Sequence, residues 1–153
     1  MSWQIREATH ADVPEVVVDV GRLLEELSGH ESDPASRERI AHALIDNPEA
    51  GALLVAESDG QIVGVLGASW QIAIRVAGRY GLIQELWVHP DWRSRALGAE
   101  LIDALVRLAH AQGIGRLEVG LPSERFAQLA ATEAFYVDNG FDTIGSRMRR
   151  ILS

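Results

Sequence analysis

Trp92-Arg93-Ser94-Arg95-Ala96-Leu97-Gly98-Ala99-Glu100-Leu101 joins an apolar stretch, Leu82 to Val88, to a leucine-rich one. The first reads as a strand closed by the punctuation His89-Pro90-Asp91. From Ala96 to Gln112 the residues Leu97, Leu101, Leu105 and Leu108, with Ile102, Val106 and Ala109 beside them, fall on one helical face, and Gly113 is the natural stop. A strand that turns directly into a helix exposes the helix's first N–H groups, which lack intrahelical partners. With the helix dipole they form a ready anion site, and phosphate is the obvious guest. Gly98 lacks a Cβ and would let a pyrophosphate approach the backbone, Ala96 is nearly as small, and Arg93 and Arg95 can supply charge. A glycine at a helix start is also ordinary packing or turn chemistry. Neither G-x-x-x-x-G-K-[ST] nor G-x-G-x-x-G after a strand occurs.

Outward from this junction both periods appear in short, closely spaced elements, without a linker, a repeat or a low-complexity tract. Trp3 and Ile5 alternate as a strand. Thr9 or Asp12 can cap a helix running through Val16, Val20, Leu23, Leu24 and Leu27 to Gly29, and a second helix holds Ile40, Leu44 and Ile45 before Asn47-Pro48. Ala52–Glu57 and Gln61 to about Ile74 form a hairpin about Asp59-Gly60, and Gly78-Arg79 turns into the Leu82–Val88 strand. Arg116–Leu121 reads as a strand, a helix runs from about Ser123 to Gly140, and the tail from Phe141 to Leu152 reads as extended, with Gly145-Ser146 a candidate interruption. The order βααβββαβαβ predicts one α/β domain over residues 1–153, a mixed central sheet with helices on both faces.

Composition narrows the function. A chain of 153 residues can bury about 70% of its unfolded surface without disulfides. No cysteine is present, which removes cysteine nucleophiles, zinc fingers and iron–sulfur sites and suits a reducing compartment. A net charge of −8 is the wrong sign for gripping nucleic acid; it can steer a cationic substrate, but is more often simply a soluble surface. The start, MSWQIREATH, lacks the apolar run of a signal peptide, and no stretch approaches the roughly 20 apolar residues of a membrane span, so a cytoplasmic location is expected. His10, His30, His42, His89 and His110 lack metal-ligand spacing, and Ser28 and Ser123 lack a nucleophile elbow. Trp70, Tyr80 and Trp87 suit a core as well as a substrate wall. Gln84 and Glu85 stand out as polar residues in an otherwise apolar strand, since burying them is costly unless they are paired or used.

Three stretches resemble one family. Arg93-Ser94-Arg95-Ala96-Leu97-Gly98 fits [Q/R]-x-x-G-x-[G/A] with Ala96 at the first glycine. Phe135-Tyr136-Val137-Asp138-Asn139-Gly140-Phe141 fits F-Y-x-x-x-G-F. Glu85-Leu86-Trp87-Val88 resembles the acidic residue near L-x-V that precedes the loop. Together, with the start Ile5-Arg6-Glu7-Ala8, they are similar to the GNAT N-acetyltransferases, which move acetyl from acetyl-coenzyme A to an amine. Leu129 stands where that family often has asparagine.

The resemblance implies that backbone N–H groups of Ser94, Arg95, Ala96, Leu97, Gly98 and Ala99 hold pyrophosphate beside Arg93. It also implies that the backbone of Leu86, Trp87 and Val88 pairs with the pantetheine arm, an amide near Val88 facing the thioester oxygen. An ammonium cannot attack until a base takes its proton, and Glu85 is the candidate, directly or through water, with Gln84 as an anchor. His89 is an auxiliary candidate, and Tyr136 would protonate the departing thiolate. Glu25, Glu26, Glu31 and Asp33 flank a loop that would help cover a cationic acceptor, and they suit a solvated charge run as well. The implied reaction is direct transfer in a ternary complex, without a metal, to a small-molecule primary amine, with a homodimer left open. The alternatives are a protein α- or ε-amine as acceptor, or an acyl-CoA-binding regulatory module without turnover.

Overall fold

The computed structural model describes residues 2–27, 29 and 32–152, so Ser28, His30 and Glu31 lie outside the described residues. The elements are β1 (Gln4–Glu7), α1 (Val13–Glu26), α2 (Pro34–Asp46), β2 (Gly51–Ser58), β3 (Gln61–Ala73), β4 (Gly78–Val88), α3 (Leu97–Ala111), β5 (Leu117–Val119) and α4 (Leu129–Asp138). The sheet runs β1-β2-β3-β4-β5, antiparallel through β4, with β5 added parallel to β4. This is the expected mixed sheet.

Strand alternation divides the apolar residues between two faces. Leu54, Leu66, Ala68, Trp70 and Ile83 pack with Leu97, Leu101 and Leu105 of α3. Leu53, Val55, Ile62 and Val65 pack with Val16 of α1, and Val20, Leu44 and Ile45 close over them. The tether at the start of α1 is polar. Arg6 of β1 forks onto Asp12 at 2.7 and 3.0 Å and reaches Glu57 of β2 with its Nε at 2.9 Å. α2 begins at Pro34, and Asp33 accepts from the Ser36 amide at 2.9 Å.

The expected final strand, Phe141–Leu152, does not form. A strand needs an edge, and β5 offers only Leu117–Val119. Gly145 is left-handed at φ 128°, and Arg147, Arg149 and Arg150 set like charges along the segment. Its Ile144, Met148 and Leu152 stay exposed. α4 also starts later than Ser123. The Phe126 amide bonds to Ser123 and that of Leu129 to Phe126, so isolated turns precede the helix.

Arg6 holds the Asp12 carboxyl down at about 2, below its ordinary 3.8. A depressed carboxyl stabilises the fold above its unfolded pKa, and that contribution is lost progressively as pH falls from about 5 to 1. Asp12→Asn should therefore cost about 1–2 kcal/mol at pH 7 and only a small fraction of that near pH 2, measured by urea unfolding. An equal cost at both pH values would contradict the tether.

Candidate active site

The loop after β4 is strained at two residues that are not glycine. Ser94 and Ala96 are both left-handed, each at φ 64°. Ala96 is the residue before α3, and no side chain caps the helix among the described residues, so the amides of Leu97, Gly98 and Ala99 remain available to an anion. Leu97 itself is buried, which leaves only its backbone to contribute. A Cβ on Gly98 would lie 3.1 Å from Phe135 Cζ, so the smallness of Gly98 lets α4 pack against α3. Arg95 sits over the ring of Trp92. Arg93 turns back, its Nε donating to the Val88 carbonyl at 2.8 Å and an NH2 to Glu26 at 2.7 Å, and thereby ties the end of α1 to the end of β4.

β4 keeps both neighbours only along its first half. Gly81, Leu82 and Ile83 oppose Leu117, Glu118 and Val119, after which β5 leaves through Gly120-Leu121-Pro122. Glu85–Val88 stays paired with β3, and the segment Gln84–Val88 has no strand on its other side among the described residues. The His89 amide donates to Val63 at 2.9 Å. Antiparallel alternation from that bond, with Trp87 opposite Val65, turns the backbone groups of Trp87 toward β3 and those of Leu86 and Val88 toward the open side. Of the three residues expected to offer backbone to a pantetheine arm, Leu86 and Val88 face the gap and Trp87 does not.

The register slips between Gly67 and Ala68, which oppose Glu85 and Ile83, so Gln84 is the extra residue of a β-bulge. Gln84 and Glu85 consequently lie on the same face, that of α1 and α2, where strict alternation would send one into the α3 core. Gln84 donates to Ser69 at 3.0 Å, and Gln71 donates to the same hydroxyl at 2.9 Å. The Glu85 carboxyl lies over Gly67, and burial raises its pKa above the ordinary range. Tyr136 lies on the opposite face, within the α3 core, and borders a cleft of about 1250 Å³ together with Leu82 and Val119. Its hydroxyl makes no hydrogen bond among the described residues, and burial pushes it up to about 12. Gly140, left-handed at φ 91°, ends α4 and folds the chain back so that the Phe141 amide bonds to the Tyr136 carbonyl at 3.0 Å and the two rings meet at 5.4 Å. The F-Y-x-x-x-G-F stretch is thus a helix stop that clamps its tyrosine.

Other sequence candidates take structural places. Nδ1 of His89 accepts from the Asp91 amide at 3.1 Å, which puts the ring proton of the neutral form on Nε2 and leaves no lone pair for a base. Asp33 caps α2, and Glu26 is held by Arg93. Trp70 bonds to the Pro48 carbonyl within the core. Trp87 is buried, its indole N–H is unpaired among the described residues, and it borders a cavity of about 310 Å³ with Arg22, Glu25, Glu26 and His89. Ser69 and Gly67 escaped the sequence reading, although a glycine inside a strand pattern signals close approach by another group. No cluster of three or more metal-ligating side chains occurs, and no helix is long and apolar enough to cross a membrane, among the described residues.

The acetyltransferase (GNAT) family profile matches residues 18–141. The chain belongs to this family. GNAT members are acetyl-CoA-dependent N-acetyltransferases, and that is the class of this enzyme. Solved structures share the GNAT fold at low identity. Glucosamine-6-phosphate N-acetyltransferase from Arabidopsis thaliana is 16% identical with a TM-score of 0.78, the match covering 100% of both chains. A predicted acetyltransferase from Clostridium acetobutylicum, solved with acetyl-CoA, is 17% identical with a TM-score of 0.78, over 98% of this chain and 96% of that one. Ribosomal-protein-alanine N-acetyltransferase from Brucella melitensis biovar Abortus 2308 is 18% identical with a TM-score of 0.73, over 99% and 100%.

A left-handed alanine costs roughly 1 kcal/mol relative to glycine. Ala96→Gly should raise stability by about that amount and leave acetyl-CoA affinity within about twofold, as read by urea unfolding and calorimetry. A stability loss would contradict the loop conformation.

Proposed function

We propose that the chain is a single GNAT domain over residues 1–153 that transfers acetyl to the primary amine of a small molecule by direct attack in a ternary complex. The observation that carries this reading is the gap beside Gln84–Val88, which leads directly to the uncapped start of α3 and has a half-buried carboxyl on one face and a buried phenol on the other. The residues fit acetyl-CoA, since a free strand edge suits the amides of pantetheine and unpaired helix amides suit pyrophosphate. Leu86 and Val88 would hold the arm, and the amides from Ser94 to Ala99 the phosphates. The thioester supplies an acyl group already activated toward amines.

The chain's own groups then divide the proton work. Glu85, made more basic by burial, takes the proton from the incoming ammonium, directly or through a water, on the α1–α2 face. The Val88 amide points into the gap and can stabilise charge on the thioester oxygen, while Arg93 occupies the Val88 carbonyl. Tyr136, fully protonated at neutral pH, donates to the sulfur as the C–S bond breaks from the other face. A net charge of −8 draws cationic amines, and the Arabidopsis neighbour named for an amino sugar supports a small acceptor.

Release of coenzyme A in the presence of small amines and of peptides tests the reading. Turnover with small amines is expected. Turnover only with peptides would move the acceptor to protein amines, and binding of acetyl-CoA without release in any arm would make the chain a regulatory module. Tyr136→Phe should lower kcat at least about tenfold with acetyl-CoA affinity within about twofold. Parental turnover across the pH range would return Tyr136 to packing.

A further inference from the structure

Gly67 sits in the interior of β3, where glycine is a poor choice. It gives a strand no side chain to pack and loses more conformational freedom on folding than alanine would. Its backbone needs no left-handed conformation, unlike Gly60 or Gly140. What it provides is space. A Cβ built there would overlap Oε2 of Glu85 and lie 3.2 Å from the Glu85 Cδ and 3.9 Å from Oε1. The two residues face one another across the sheet at the bulge that turns Gln84 and Glu85 onto one face. Val65 and Ser69, the neighbours of Gly67 on that face, keep their side chains.

We propose that Gly67 is the positioning residue of the Glu85 carboxyl: its missing side chain leaves a recess over β3 in which the carboxyl lies, set back from the open edge of β4. The recess shelters the carboxyl from water and keeps the space above Leu86 and Val88 clear for the amine. A methyl at position 67 would swing the carboxyl out into solvent or across the gap. Glu85 is the far end of a flexible side chain, so the change repositions a group without breaking the sheet. The role rests on the reading of Glu85 as the base.

The experiment compares Gly67→Ala, Glu85→Gln and the double variant, with Gly78→Ala as a control because a Cβ there meets open space. At saturating acetyl-CoA, Gly67→Ala should lower kcat at least about tenfold, move the acidic limb of the pH–rate profile downward and leave acetyl-CoA affinity within about twofold. The double variant should lose nothing beyond Glu85→Gln, and Gly78→Ala should match the parent. Parental kcat in Gly67→Ala, or losses that multiply in the double variant, would overturn the proposal while leaving the base assignment intact. If Glu85→Gln turns over like the parent, the base assignment falls. The positioning claim is then decided by carbon NMR titration of the Glu85 carboxyl, whose midpoint must drop in Gly67→Ala. An unmoved midpoint overturns it. Should Gly67→Ala fail to fold, Gly67→Ala with Glu85→Ala must fold, because the collision partner is gone, and failure of both overturns it.

Discussion

Every buried backbone N–H and C=O needs a partner, and β4 meets that demand on both sides only as far as Ile83. Beyond it β5 leaves at Gly120-Leu121-Pro122, and Leu86 and Val88 keep polar groups aimed into a gap in the sheet. An incomplete ladder in the middle of a fold is a standing demand for hydrogen bonds, and an extended amide-bearing chain is the ligand that satisfies it. The start of α3 repeats the demand one loop later, since neither Ala96 nor its neighbours cap the helix. On the proposed reading one molecule answers both, with its amides at the strand and its phosphates at the helix.

In the proposed mechanism the two titratable groups beside this gap take separate tasks. Glu85 and Tyr136 lie on opposite faces of the sheet, each shifted upward by burial and by nothing else. Desolvation opposes charge on both, which makes the carboxylate a stronger base and keeps the phenol protonated. On the proposed reading, one environment yields an acceptor of protons on the α1–α2 face and a donor on the α3–α4 face. Arg93 adds a mechanical link, because it fastens the end of α1 to the last carbonyl of β4.

Most of this was legible in the sequence where the signal was periodic or local. The α3 stripe from Leu97 to Ala109, the β2–β3 hairpin about Asp59-Gly60 and the Gly140 helix stop follow from side-chain spacing and turn chemistry, and they appear in the structure. The bulge at Gln84 was not legible, because nothing in Leu82–Val88 marks an extra residue until Gly67 is set opposite. Pairing decided the tail as well. Phe141–Leu152 has extended character in sequence, but β5 is too short to recruit it. The place of Trp87 shows the same limit, since only the register tells that its backbone faces β3 while Leu86 and Val88 face the gap.

On the proposed reading the free edge of β4 and the start of α3 are the two halves of one acetyl-CoA site. Amide hydrogen exchange, resolved by residue, tests it most directly. The amides of Leu86 and Val88 and those of Leu97 to Ala99 should exchange fast in the free protein and become protected together on addition of acetyl-CoA, while the Trp87 amide, already directed at β3, should be slow in both states. Protection at α3 without protection at Leu86 and Val88, or slow exchange of those two amides in the free protein, would contradict it.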